Sequence, residues 1–463
     1  MAESKPEQIA QHIRQQITAG ILTHGEKLPS IRSYAKLYGY SKNTVITAYD
    51  ILTASGHVEP QHGRGFFVTD VSPRRNGDEI GSINRAMDTI WLMRQQLIKD
   101  PKHQHPGDGF PPKDWLMDMR LDKFHRQVVR TGVTTLFRYG ERYGYAALRE
   151  QLVRRLAGLG VYSMLKQIVT THGANEALDL VIRHQVIPGE PVLVDEPGYY
   201  PLFGKLRLHG AEVIGIPREA DGPDIAALEQ ALRTRRARFF FTQSAGHNPT
   251  GTDLSLEKAE RILQLARQHD VLIIENDALA DFKHSSAVKL SALDQLRRTL
   301  YIGSFSKSIS ASLRIGFIAC DPPLADGLAD LKMLLHVSNS EYSERAVEVI
   351  LREGNFLRHT QRLQSQARAA TAAAVAILKQ LGAELFVVPN ESLYLWARFP
   401  QMPDSLRLAR ELLSYDMMLA PGAFFYLDAR HKTPWCRYNV AEVAQPSFAS
   451  TLRAYLAALD QNS

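Results

Sequence analysis

The sequence predicts an α/β protein preceded by a small helical module. Two patterns predict it: from Phe110 onward short apolar runs alternate with amphipathic helical stretches, and before residue 70 three short helices are followed by a glycine-tipped hairpin. The 463-residue chain is long enough for two or three domains, and 44% hydrophobic with 22% charged residues suits a globular protein and no fibrous or membrane class.

The polar start, Met-Ala-Glu-Ser-Lys-Pro-Glu-Gln, is not followed by 18 apolar residues, so neither a signal peptide nor a membrane span is expected, and the cytoplasm is the expected location. Cys320 and Cys436 are distant and lack metal-ligand spacing, so free, buried thiols and no metal are expected. The formal charge of +6 decides little alone, but Lys27, Arg32, Lys36 and Lys42 fall in a stretch without acids, a cationic surface if they share a face. There are no internal repeats.

In the N-terminal module, Ile9, Ile13 and Ile17 put an apolar stripe on a first helix over about 6–18. Ser30 is a plausible N-cap for a second helix through Leu37, and Ser41 for a third. In the third, Val45, Ala48, Tyr49 and Leu52 share one face and leave Lys42, Asn43, Thr44 and Thr47 on the other. A helix whose first turn carries such side chains has the geometry that enters a DNA major groove. His57-Val-Glu-Pro60 and Gly65-Phe-Phe-Val68 read as two strands joined by a glycine-rich tip presenting Arg64, a wing able to contact phosphate or the minor groove.

Gly25-Glu-Lys-Leu-Pro-Ser-Ile-Arg32, Ser41-Lys-Asn-Thr-Val-Ile-Thr-Ala-Tyr49 and Gly63-Arg-Gly-Phe-Phe-Val68 resemble the winged helix-turn-helix of GntR-type transcription regulators. That resemblance implies double-stranded DNA as a partner and Arg32, Ser41, Lys42, Asn43, Thr44 and Arg64 as its contacts. The module is set at 1–70. A linker over 71–105 has turn-rich ends, and Ile83, Met87, Ile90, Trp91, Leu97 and Ile98 between them follow helical spacing.

In the large domain, 106–463, strands are expected at Gln167–Thr170, Pro191–Val194, Ala211–Ile216, Arg238–Phe241, Val271–Ile274 and Thr299–Ile302. Short continuous apolar strands with helices between them indicate a mostly parallel sheet covered on both faces, with ligands beyond the carboxyl ends of the strands. The chemistry-bearing residues follow those runs. Thr170-Thr-His-Gly-Ala-Asn-Glu is a strand end, a glycine and a helix start whose amides at Ala174 and Asn175 suit a phosphate. Tyr199 offers a ring to stack on a heterocycle, and Asn248 an amide for a phenolic oxygen. In Ser304-Phe-Ser-Lys-Ser-Ile-Ser-Ala-Ser-Leu-Arg314, Lys307 can form a Schiff base with an aldehyde cofactor, while Ser304, Ser306 and Arg314 hold its phosphate tail.

This order of motifs resembles the fold-type I, class I aminotransferases, which use pyridoxal phosphate (PLP), across roughly 106–460. The resemblance implies a large mostly parallel α/β domain and a smaller C-terminal α+β domain. Tyr139 in Tyr139-Gly-Glu-Arg-Tyr-Gly144 looks like the tyrosine that reaches the phosphate of a neighbouring subunit, which implies a homodimer. Arg437 in Trp435-Cys-Arg-Tyr-Asn-Val440 looks like the arginine that takes the substrate carboxylate.

One departure stands out. The family has an aspartate after a strand ending like Ile273-Ile-Glu275, at the pyridine nitrogen, and a tyrosine three positions later; here those places hold Asn276 and Leu279. Either the loop is re-registered so that Asp277 serves the nitrogen, or Asn276 faces it and the electron sink is weakened.

A winged helix-turn-helix, a linker and an aminotransferase-like domain together resemble the MocR-type regulators of the GntR group. The expected function is transcriptional regulation with PLP used to sense an amine, an amino acid or the vitamer itself. A working aminotransferase with an auxiliary DNA-binding module is the alternative, and a scaffold that has lost the cofactor is a third reading, disfavoured by Lys307, Arg314 and Tyr199.

Overall fold

The computed structural model describes residues 5–18, 22, 25–55, 57–61, 64–69, 93, 104–117, 119, 121–130, 137–284, 287–428 and 431–462. The chain divides into two compact units, 1–81 and 82–463. Except for Met93, the helix expected between Ile83 and Ile98 falls outside the described residues.

The first unit has helices at Lys5–Thr18, Ile31–Tyr38 and Lys42–Ala54, then the antiparallel hairpin β1 (Val58–Gln61) and β2 (Gly65–Val68). Ser30 and Ser41 cap the second and third helices by accepting from Ser33 N and Thr44 N, each at 3.1 Å. Val45, Ala48, Tyr49 and Leu52 are fully buried against Ile9, Ile13, Val58 and Val68. Tyr49 closes this core by donating to the Pro29 carbonyl at 2.8 Å. Residues 25–28 add to the outer edge of β2, with Leu28 N donating to Phe66 O and Val68 N to Glu26 O.

The second unit is built on an eight-stranded sheet: β3 (Ile168–Thr171), β4 (Pro191–Glu196), β5 (Glu212–Glu219), β6 (Gly222–Pro223), β7 (Phe239–Thr242), β8 (Leu272–Asp277), β9 (Thr299–Ser304) and β10 (Gly316–Ala319). Their order is β3-β10-β9-β8-β7-β4-β5-β6; β4, β5, β7, β8 and β9 are parallel, and β10 and β6 run against their neighbours. Strands such as β3 and β7 are buried at every residue because helices cover both faces. After β4 the chain turns outward to β5 and returns through β7 on the other side, so the sheet changes winding direction between β4 and β7, where α/β sheets open a ligand crevice.

A second sheet comprises β11 (Glu384–Leu385), β12 (Tyr394–Arg398), β13 (Ala420–Pro421) and β14 (Trp435–Asn439), ordered β11-β12-β14-β13 and antiparallel throughout. Helices Asn355–Gln380, Ser405–Leu413 and Pro446–Asn462 enclose its core. Residues 104–110 lie along this sheet: Gln104 N donates to Asp416 O, Met418 N to Gln104 O, Gly107 N to Met418 O and Asn439 N to Pro106 O. Gly107 admits no side chain, since a Cβ there would meet Ala420 N at 2.3 Å.

The six expected strands correspond to β3, β4, β5, β7, β8 and β9. β10 was not expected; its residues follow Arg314 directly and read as the tail of the lysine segment. Cys320 and Cys436 are both free and buried, and among the described residues no helix is long and apolar enough to cross a membrane.

Replacing Ser30 with alanine removes the side-chain acceptor of the second helix and costs about 1 kcal/mol. In the full-length protein, hydrogen exchange of the Ile31–Tyr38 amides is expected to accelerate about fivefold while the second unit is unaffected.

Candidate functional site

In the first unit, Arg32, Ser41, Lys42 and Asn43 are exposed and Thr44 is half-buried at the start of the third helix. Ser41 Oγ lies 2.8 Å from Thr44 Oγ1, so both hydroxyls are partly engaged in the cap. Arg64 is exposed on the hairpin with its guanidinium 5.6 Å from the centre of the Phe67 ring, and Lys27 Nζ lies 5.9 Å from the same ring. The ring thus holds two cations on one side of the wing, although His62 and Gly63 at its tip lie outside the described residues.

In the second unit, helix Ala174–Gln185 starts at Gly173 (φ +80°) with no side chain capping it, so its first amides, including those of Ala174 and Asn175, point free at the helix end. A Cβ on Gly173 would sit 3.0 Å from Arg314 Nη2 and 3.4 Å from Ser306 Oγ, so the helix end, the guanidinium and the hydroxyl converge on one small volume. Arg314, itself left-handed at φ +54°, is held there by donating to His172 O at 2.7 Å. Ser304 Oγ accepts from Ser306 N at 3.2 Å and so shapes the loop. Asn175 Oδ1 is buried without a partner. The Glu176 carboxylate grips the turn from behind, bonding both the backbone N and Nδ1 of His172.

Beyond the ends of β4, β7 and β8 lies a pocket lined by Asp195, Tyr199, Gln243, His247 and Asn276 over apolar Leu178, Phe203 and Phe241. Burial lifts the Tyr199 hydroxyl to about 12, with the nearby Tyr394 adding to it. Gln243 holds the pocket's rim: its Nε2 donates to Asn276 O at 3.3 Å and its Oε1 accepts from Asn248 N at 2.9 Å. Behind it, Asp195 accepts from Arg218 at 3.2 Å and Thr242 at 2.8 Å. Burial raises the Asp195 carboxyl, but Arg218 and His247 outweigh that and leave it below its ordinary value. Burial, with Arg218 beside it, pushes the His247 imidazole down to about 4.

The sequence left open which residue after Glu275 faces this pocket. Asn276 lines it, with a buried Oδ1 that has no partner. Asp277 does not. It is turned to the opposite face of β8, where Tyr301 Oη donates to it at 3.0 Å and Lys289 Nζ stands 3.9 Å away; burial lifts its carboxyl above the ordinary range. Glu275 shares that opposite face, capping helix Leu290–Asp294 through the amides of Leu290 and Ser291 at 2.9 and 2.8 Å. Strand alternation therefore turns Asp277 away from the pocket that Asn276 lines.

Lys307 Nζ donates to Tyr394 Oη at 2.8 Å, and Tyr394 Oη donates to Gly109 O at 2.7 Å. Arg437, 1% exposed, donates to Asn248 Oδ1 at 2.9 Å and to Gly107 O at 2.7 Å, with its guanidinium over the rings of Tyr394 and Phe425. Asn248 thus engages Arg437. Tyr139 is 80% exposed. Tyr394, Gln243, Asp195 and His247 were not expected; Tyr394 sits in the apolar run Leu393-Tyr-Leu-Trp396, which reads as core.

The sequence profile of class I and II aminotransferases matches residues 123–451, and that of the bacterial gntR-family regulatory proteins matches 5–68. The chain is 31% identical over 372 residues to a probable rhizopine catabolism regulatory protein, MocR, of Rhizobium meliloti, covering 77% of this chain and 73% of that one. The chain belongs to the MocR-type regulators. Another such relative is the HTH-type transcriptional regulator YdcR of Escherichia coli, 28% identical over 91% of this chain and 92% of its own. Among solved structures, the α-aminoadipate aminotransferase LysN of Thermus thermophilus, complexed with N-(5'-phosphopyridoxyl)-L-leucine, superposes with a TM-score of 0.73 at 23% identity, covering 82% of this chain and 98% of its own. This MocR-type chain thus carries a GntR DNA-binding domain and an aminotransferase-like domain whose cofactor is pyridoxal phosphate. The uncapped helix end, the converging Arg314 and Ser306, and the orphaned amide oxygen of Asn276 fit that group.

The depressed His247 predicts a pH dependence. An imidazole that stays neutral in the folded protein while the unfolded one binds a proton near pH 6.5 gives stability that is present above that pH and lost as pH falls toward 4. This group alone is expected to remove about 2 kcal/mol between pH 7 and pH 5. Urea unfolding at both pH values should show His247→Asn with a correspondingly smaller drop.

Proposed function

We propose that this regulator binds pyridoxal phosphate through Lys307 and uses it to sense an amine, an amino acid or the B6 vitamer, rather than to turn amino acids over. The observation that carries this reading is the amide of Asn276, with its unpartnered oxygen, in the pocket where a carboxylate would be needed, while Asp277 is engaged on the far face of the strand. Bound pyridoxal phosphate supplies an aldehyde that condenses with amines and a ring that draws electrons from the bonds around the new nitrogen. Lys307 is the covalent anchor. Ser304, Ser306, Arg314 and the amides of Ala174 and Asn175 hold the phosphate, Tyr199 stacks on the ring, and Asn248 bonds its phenolic oxygen. Arg437 takes a ligand carboxylate, exchanging neutral acceptors for a charged one. Asn276 bonds the ring nitrogen, but an amide cannot pair with a pyridinium charge, so the sink is weak and binding outlasts chemistry.

The exposed Tyr139 reaches the phosphate of a second copy in a homodimer. Residues 1–70 bind double-stranded DNA through Arg32, Ser41, Lys42, Asn43, Thr44 and Arg64, residues 71–105 connect, and 106–463 sense. Ligand binding shifts the population of domain arrangements and thereby the affinity for DNA.

Two experiments test this reading. Borohydride should trap the cofactor on Lys307, and Lys307→Ala should abolish that adduct. Asn276→Asp should raise the rate of amino-group transfer from an added amino acid, while Asp277→Ala should not reduce it; wild-type turnover that collapses in Asp277→Ala would make the protein a working aminotransferase.

For DNA, Arg32→Ala and Arg64→Ala should weaken operator binding. Loss of a phosphate contact lowers the salt slope by about one unit, whereas loss of a base contact costs about 1 to 3 kcal/mol and relaxes specificity. Gel-shift titrations at several salt concentrations separate the two, and unchanged affinity in both variants would remove the assigned surface.

A further inference from the structure

Lys307 Nζ forms no salt bridge among the described residues, and its hydrogen-bond partner is a phenol from the second sheet. The direction of that bond is fixed. Tyr394 has one proton, which it donates to Gly109 O at 2.7 Å, so toward Lys307 it is an acceptor. The phenol is rigidly seated: Tyr394 is fully buried, its backbone N donates to Ser392 Oγ at 3.1 Å, and the Arg437 guanidinium lies 4.8 Å from its ring centre. Leu279, where the resembling family has a tyrosine, packs in the same apolar cluster as Tyr394, so a phenol enters this site from the facing sheet and reaches the lysine.

We propose that Tyr394 is a positioning residue that receives the Lys307 amine when a ligand amine displaces it, and so sets the balance between the lysine-linked and ligand-linked forms of the cofactor. This rests on the sensing function above. In the exchange, the ligand nitrogen forms its bond to the cofactor's aldehyde-derived carbon as the bond from that carbon to Lys307 Nζ breaks. The two protons that the incoming ammonium gives up end on Nζ, which leaves as an ammonium. With no salt-bridge partner for Nζ among the described residues, the released cation needs an acceptor, and the oriented Tyr394 oxygen provides one at hydrogen-bond distance. A protein that reports occupancy instead of completing a reaction depends on this balance, because the ligand-linked form has to persist.

The test uses the full-length, cofactor-loaded protein and methylamine, which has no carboxylate and leaves Arg437 out of the measurement. The visible spectrum is followed during titration, and borohydride-trapped adducts on Lys307 and on methylamine are quantified by mass. Tyr394→Phe keeps the ring and is expected to lower the equilibrium constant for displacement about tenfold. In a Lys307→Ala background, where methylamine condenses without displacing any side chain, the same substitution is expected to change its affinity less than twofold. Equal titration of Tyr394→Phe and the unaltered protein, or an equal loss in both backgrounds, would overturn the role of Tyr394 and leave the sensing function standing. A protein that traps no cofactor on Lys307 would overturn the sensing function itself.

Discussion

A buried cation with no salt bridge among the described residues, and the Asp108 carboxyl as an anionic neighbour beyond contact, ties the second unit together. The Arg437 guanidinium is 1% exposed, and its hydrogen bonds go to neutral oxygens of Asn248 and Gly107, with two aromatic rings against its faces. Removing a charge from water is costly, and amide dipoles and ring quadrupoles offset only part of that cost. The arrangement therefore ties three parts of the chain together: β14 carries the arginine, the loop after β7 supplies Asn248, and the segment 104–110 supplies Gly107. On the proposed function, a ligand carboxylate would answer the guanidinium better than either neutral oxygen does.

The residues around Arg437 show what a single sequence makes legible. Six strands of the large sheet were readable because each carries a short apolar run set among helical stretches, and the cofactor candidates followed because ligands collect where such strands end. Ser30 and Ser41 were readable as caps because a hydroxyl at a helix start satisfies a local amide. Short β10 was not, since Ile315-Gly-Phe-Ile continues the lysine segment without a break. Tyr394 was hidden for a deeper reason: its neighbours make it look like core, and only the closing of a separate sheet over Lys307, 87 positions away, brings its hydroxyl to the amine.

The question of Asn276 and Asp277 was a question of parity. Once Glu275 is committed to the helix start at Leu290 and Ser291, alternation along β8 sends 276 to one face and 277 to the other. A carboxylate is present one residue from where the chemistry would use it, but it is buried with Tyr301 and Lys289 and serves the packing of the opposite layer. Proximity in sequence has no value here without the right face.

The phosphate cradle has a different character from the rest of the pocket. A Cβ on Gly316 would stand 2.7 Å from the backbone of Gly173, so β10 presses main chain against main chain directly beneath the helix start, and Arg314 is pinned to His172 O. None of these groups has to be ordered by a ligand. If these groups hold the phosphate as proposed, their grip has little conformational entropy left to lose on binding. The groups that meet an amine or a carboxylate, Tyr394 and Arg437, belong to another sheet. On the proposed function, retention of the cofactor and response to a ligand fall to separate mechanical parts, so the response could be retuned by substitution in the second sheet without loosening the hold on the cofactor.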